Sequence, residues 1–223
     1  MPRIRDFGVT PGYLPPGPLN AITDVPGVRV GHTTIRRDVD GVPWRTGVTA
    51  IWPHAGNPLR ENVYAAVFPL NGIGEVTARS VVDEWGLLGF PIVLTGTNHV
   101  GIVVLATDAP LSPGQCARLA KRAALGLART GSTARDMSGE IMIAFATGNL
   151  IPVLARPEMS IRTLVEGPAA DGISHFNVLF TGAVEATEEA VYNALVAAET
   201  VSGVDEHFLA AISHDRLRAI LQP

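Results

Sequence analysis

Short apolar runs cut apart by Gly, Pro, Asn and Asp constrain this chain most. They are Val28–Thr34, Gly47–Trp52, Ala65–Leu70, Pro91–Thr95, Ile102–Thr107 and Ile141–Thr147. Runs this brief, rich in Val, Ile and Thr, read as strands rather than core helices. Helical stretches lie between the groups. Thr77–Trp85 predicts a short helix ending near Gly86. Ser112-Pro113 opens a longer one through Arg129, since serine caps free N–H groups and proline is tolerated in the first turn. Leu119, Ala123 and Leu127 share one of its faces, while Arg118, Lys121 and Arg122 reach water.

Phe176–Phe180 reads as a further strand, and Ala183–Thr200 as the longest helix, with Gly203 beyond its end. Val184, Val191, Leu195 and Ala198 form its apolar stripe. Glu185, Glu188 and Glu189 fall in its early turns, where negative charge suits the helix dipole. His214–Leu221 is a last short helix. Residues 1–27 predict an ordered extended arm, because Pro11, Pro15, Pro16, Pro18 and Pro26 disfavour both helix and central strand. Grouped strands with helices between them imply an α+β fold of layered sheets covered by helices.

At 223 residues the chain forms one domain or two small interlocked halves. With 47% hydrophobic and 17% charged residues it is a packed globule. A net charge of -4 without a basic block argues against nucleic-acid binding. Cys116 stands alone, which excludes an internal disulfide and a multi-cysteine metal cluster and fits a reducing compartment. The opening MPRIRDFGVTPGYLPPGPLN lacks the apolar centre of a signal peptide. No apolar run approaches the ~20 residues of a membrane span. A cytoplasmic protein without nucleic-acid or membrane partners is expected.

Ser213-His214-Asp215 suggests a triad, but three adjacent residues do not normally converge; Ser213 reads as a helix cap and Asp215 as a first-turn acid. His32, His54 and His99 match no metal-ligand spacing. Asn71-Gly72-Ile73-Gly74 lacks the full dinucleotide pattern and a phosphate-loop lysine, and reads as a turn needing unusual φ. No metal or cofactor is expected. Ser138-Gly139-Glu140 differs in kind. It stands at a strand entrance, where residues two apart share a face, so a hydroxyl and a carboxylate point the same way.

Several segments resemble a known family in the same order: LPPGPLNAITDVPGVRVGHTT, RTGVTAIWPHAGN, VFPLNGIGEVT, ATDAPLSP, AALGLARTGS and EATEEAVYNALVAAET. The family is that of the DmpA-like serine aminopeptidases, peptidase family P1, which includes L-aminopeptidase/D-esterases and β-peptidyl aminopeptidases. The resemblance implies a DmpA/ArgJ-like four-layer αββα sandwich and a self-cleaving precursor. In that chemistry a Gly-Ser bond breaks and the serine becomes a new N-terminus. Its freed amine, with pKa near ~7.7–8.0, serves as base toward its own hydroxyl. By the same resemblance, Ser138 and Glu140 match the serine and glutamate that position the nucleophile's amine and the substrate's amine. Small peptides or amino-acid amides and esters are the implied substrates, and a homo-oligomer is the implied assembly.

The chain departs from the family at the decisive place. The family's nucleophile lies six positions before the first Ala of ATDAPL, which falls here on Val100, with His99 in place of the preceding glycine. LTGTNHVG, Leu94 to Gly101, resembles first-subunit sequence, and IVVLATDAPL resembles second-subunit sequence. The single domain 1–223 thus joins a first-subunit part, 1–101, to a second-subunit part, 102–223, without its N-terminal nucleophile. The family's oxyanion tyrosine and asparagine have no match. Ser132, in the only Gly-Ser bond, is the candidate substitute hydroxyl, ahead of Thr95 and Thr97.

An internally shortened sandwich should be incomplete, with open strand edges and uncovered apolar faces that self-association can cover. Three readings stand at this point: an impaired aminopeptidase, a non-catalytic scaffold or oligomerising paralogue with a residual amine pocket, and a deletion product with no selected role. Intact-mass analysis of the purified chain is expected to show one unbroken 23.5 kDa species; two fragments would mean self-cleavage.

Overall fold

Ile141, Ile143 and Phe145 enter one apolar core, while Met142, Ala144 and Ala146 enter another. All six lie in β7 (Gly139–Pro152), where successive side chains point to opposite faces. A strand covered on both sides is apolar without interruption, which explains the continuous run in the sequence. The computed structural model describes residues 1–96, 100–154, 157–205 and 207–221.

β7 is central to a four-stranded sheet. It pairs antiparallel with β3 (Glu61–Pro69) and parallel with β6 (Val100–Thr107), and β4 (Leu87–Leu88) adds to the far edge of β3. A three-stranded antiparallel sheet lies against one face, made of β1 (Arg29–Val39), β2 (Val42–Trp52) and β5 (Ile92–Thr95). Asp40 and Gly41 turn β1 into β2, both with positive φ, as a two-residue hairpin of this twist requires. Ile51 and Ile92 from this sheet meet Val63, Ala65 and Phe145 from the other. Val82, on α1 (Arg79–Trp85), closes that core at its margin.

Two helices cover the other face of the four-stranded sheet, α2 (Pro113–Arg129) and α3 (His175–Ala197). Ser112 caps α2 as expected: Gln115 N donates to Ser112 Oγ at 3.3 Å, and Ser112 N donates to Gln115 Oε1 at 3.1 Å. Cys116, Leu119, Ala120 and Ala123 face the sheet. Burial pushes the Cys116 thiol up to about 12, so it stays a neutral packing group. Gly126 allows the helices to touch, because a Cβ there would lie 2.4 Å from Val184 O.

The expected strand Phe176–Phe180 is instead the first turns of α3. Phe176 and Phe180, four apart, meet edge to face at 4.8 Å, with Arg122 over the Phe180 ring. A short apolar run does not distinguish strand from helix by periodicity. The earlier start moves Glu185, Glu188 and Glu189 to mid-helix, away from the dipole's end. Leu195, expected in the stripe, is exposed, whereas Phe176, Ala183 and Val196 are buried. Gly203 lies in the turn between β8 (Val201–Ser202) and β9 (Phe208–Leu209) rather than beside the helix end. α4 (His214–Leu221) starts where expected and takes in the expected residues.

The glutamates of α3 hold the N-terminal arm, which contains 3-10 turns at Ile4–Phe7 and Ile22–Asp24. Glu185 accepts from Tyr13 N at 2.9 Å and Leu14 N at 3.0 Å. Gly12, with φ 78, makes room: a Cβ there would lie 2.1 Å from Glu185 Cδ. Glu189 takes both Arg5 Nε at 2.7 Å and Arg5 Nη2 at 2.6 Å, and Asn20 Nδ2 at 2.6 Å.

Among the described residues the layers are helix, sheet, sheet, and the sandwich is incomplete. Trp44, Val48 and Val93 share the outer face of the three-stranded sheet and are exposed. Among the described residues no helix is long and apolar enough to cross a membrane.

Burial opposes the charge on Glu189, but hydrogen bonds from Arg5 and Asn20 and the Arg5 charge outweigh it and hold the carboxyl below its ordinary value of 4.5. A carboxyl lowered on folding stabilises the protein above that ordinary value, and the contribution fades as pH falls through the folded one. The melting-temperature gap between wild type and Glu189→Gln is therefore expected to be widest near pH 7 and to narrow as the pH falls below 4.5. A gap independent of pH would contradict an ionic latch.

Candidate active site

The heads of β6 and β7 lie side by side, with Val100 paired to Gly139 and Gly101 to Glu140. The loop after β3 crosses the head of β7: Leu70 N donates to Glu140 O at 2.8 Å and Asn71 N at 3.4 Å. Met137, in the left-handed region at φ 62, turns the chain into β7. A Cβ on Gly139 would lie 2.7 Å from Gly74 N, so only glycine lets loop and strand approach this closely.

Ser138 and Glu140 come together as their spacing predicts. Ser138 Oγ donates to Glu140 Oε1. The other carboxylate oxygen, Oε2, accepts from Asn71 Nδ2 at 2.9 Å, and the same amide reaches Arg135 O at 3.2 Å. Glu140 is 6% exposed, yet its described hydrogen bonds come from neutral donors, and no ion pair reaches it among the described residues. A buried carboxylate held this way keeps lone pairs for a cation, and a charge-assisted bond from an ammonium group is the strongest it can form.

Asn71 was missed as a site residue. Its segment looked like a glycine turn, but neither Gly72 nor Gly74 adopts left-handed φ. Gly74 instead provides the close approach to Gly139. The available signal was the position of Asn71 within VFPLNGIGEVT.

The other candidates lie elsewhere. Ser132 is tied into its own loop, where Oγ accepts from Ala134 N at 3.3 Å. Thr95 Oγ1 donates to Gly47 O at 3.0 Å. Thr97 and His99 fall outside the described residues, and for Val100 only the main-chain pairing is described. His32 is exposed on β1. His54 is buried; Gly56 N donates to its Nδ1 at 3.0 Å, so Nε2 carries the proton and donates to Glu61 O at 2.8 Å. Ser213 Oγ caps Arg216 N, His214 Nε2 donates to Val196 O, and Asp215 pairs with Arg218, so these three form no triad. Among the described residues no cluster of His, Cys, Asp and Glu gathers to hold a metal.

A mixed two-sheet fold thus carries a serine and a buried glutamate at the head of paired strands. The family model described as Peptidase family S58 matches residues 20–103 and 101–209, and the chain belongs to this family. The two matches share residues 101–103, so whatever the family has between them is missing here. The chain is 28% identical to the β-peptidyl aminopeptidase BapA of Sphingosinicella xenopeptidilytica, over 99% of this chain and 91% of that protein. That alignment runs over 374 positions; with 223 residues, this chain leaves more than a third of them unopposed.

Among solved structures, the PH0078 protein of Pyrococcus horikoshii OT3 is similar at TM-score 0.89 and 26% identity, covering 98% of each chain. The L-aminopeptidase D-Ala-esterase/amidase of Ochrobactrum anthropi is similar at TM-score 0.89 and 26% identity, covering 100% of this chain and 98% of that one. It is described as a prototype of the serine aminopeptidases and a variant of the Ntn hydrolase fold.

Gly139→Ala forces either the loop or the strand head to move. Equilibrium denaturation is expected to show a loss of about 1–3 kcal/mol, the usual cost of overpacking, whereas Gly72→Ala, with nothing within 4 Å of its Cβ, should cost less.

Proposed function

We propose that this aminopeptidase relative keeps the part of the site that receives an amine and lacks the part that attacks. The observation that carries this reading is the Ser138–Glu140–Asn71 cluster beside the main chain of Val100. The ammonium of a small peptide, or of an amino-acid amide or ester, docks on Glu140, with Ser138 and Asn71 holding the carboxylate in place. Acyl transfer then needs an oxygen nucleophile and a base to take its proton. Valine offers only hydrocarbon, and its amide nitrogen is bonded into the chain, so neither role is filled at Val100. Binding without efficient turnover is the consequence.

A second reading is favoured by the exposed outer face of Trp44, Val48 and Val93. In it the chain is a non-catalytic scaffold that associates with copies of itself and retains the amine pocket. The lone buried Cys116 suits a reducing, cytoplasmic setting for either reading.

Amino-acid p-nitroanilides are expected to release no chromophore above background, while an amino-acid amide should bind in calorimetry. Glu140→Gln should weaken that binding roughly 10- to 100-fold, the range of a lost charge-assisted hydrogen bond. Unchanged binding would remove Glu140 from the role. Turnover that disappears in Ser132→Ala would move the nucleophile to Ser132.

A further inference from the structure

We propose that the free edge of β6 is a docking site for an extended segment of a second polypeptide, one carrying the sequence that relatives have between the two matched parts of this chain. β6 ends the order of the four-stranded sheet, and among the described residues no strand pairs with its other side. An open groove of about 680 Å³ lies there instead.

Val103, Val104, Leu105 and Ala106 all line that groove. Consecutive residues of a strand point to opposite faces, so a groove touching all four meets the edge of the strand, not one face. Val104 and Ala106 pack toward the core between the sheets, and Val103 and Leu105 toward the helices. The groove therefore opens between two core layers, on unused main-chain donors and acceptors. Pairing with such an edge is how an added strand binds, with alternate side chains filling pockets on either side. Four residues of β6 span ~13 Å, enough for a short ladder.

The opposite wall is α3 and the arm. Gly182, Ala186 and Ala190 follow at four-residue steps along the helix and leave the space clear. The charged side chains at the rim are engaged: Glu185 by Tyr13 and Leu14, Glu189 by Arg5, Asp24 by Leu19 and Ala21, and Arg3 by the carbonyls of Leu19 and Asn20. Apart from the chain's N-terminal amine at Met1, the groove thus offers its occupant main-chain hydrogen bonds and apolar contact.

The chain's own break points identify the occupant. The two family matches meet at residues 101–103, at the start of β6, and more than a third of the 374 aligned positions of the Sphingosinicella xenopeptidilytica enzyme have no residue opposite them here. Residues absent from that point leave the chain beside the edge that stands open. This inference rests on the fold and holds whether or not Glu140 binds an amine.

The test uses overlapping 12-residue synthetic peptides spanning the unopposed positions of that enzyme, added to the full chain. Peptides from one contiguous stretch are expected to bind and to slow hydrogen exchange about tenfold at those amides of residues 103–106 that point away from β7. Ala186→Trp, at an exposed position on the groove wall, should abolish both effects while leaving the melting temperature within a degree or two. The proposal is overturned if no peptide slows exchange in β6, or if Ala186→Trp leaves the protection intact. It is equally overturned if the chain alone, without peptide, protects these amides increasingly with its own concentration, which would assign the edge to a second copy. The readout is binding, so absent turnover bears on the proposed function alone.

Discussion

Burial of β7 on both faces is the constraint from which the rest of the structure follows. Ile141, Ile143 and Phe145 on one side and Met142, Ala144 and Ala146 on the other fix the strand between two cores. Moving its register by one residue would exchange those two sets, which differ in volume. Pairing with β3 and β6 then fixes the heads of three segments relative to each other. Glu140 begins this strand, so the carboxylate inherits its position from the best-packed part of the molecule. A side chain so placed keeps its geometry because the strand that carries it is locked on both faces.

Three buried glutamates show how environment separates a structural role from a chemical one. Glu185 is satisfied by two main-chain N–H groups of the arm, and Glu189 by the paired donors of Arg5 and the amide of Asn20. Both are closed by chain they hold in place. Glu140 is held by a hydroxyl and an amide, neutral donors that orient the carboxylate without neutralising it. Glu185 also has neutral donors, but those belong to the arm packed against it, whereas Glu140 lies at a strand head; among the three, only Glu189 is neutralised by a cation.

Shortening shows itself on the same framework. The outer face of the three-stranded sheet is bare at Trp44, Val48 and Val93, and β6 has an open edge. The core nonetheless closes, because its packing runs through β3, β7 and α2, which flank the join rather than cross it. Phe145, Met142 and Leu111 are each fully buried.

Much of the local structure was legible in the residues. Strands bounded by Gly and Pro, the Ser112 cap with Gln115, the span of α4 and the shared face of Ser138 and Glu140 all depend on neighbours within a few positions. The misreadings lay where distant partners decide. Phe176–Phe180 is helical because α2 offers its rings a surface, and the glutamates of α3 serve an arm more than 160 residues away in sequence. Asn71 joins Glu140 across 69 residues, a pairing no local pattern encodes. The sequence by itself determined the repertoire of short-range elements, since local propensity needs no partner. Only the tertiary structure decided which carboxylate stays open and which edge stays unpaired, because those depend on what the folded chain brings into contact.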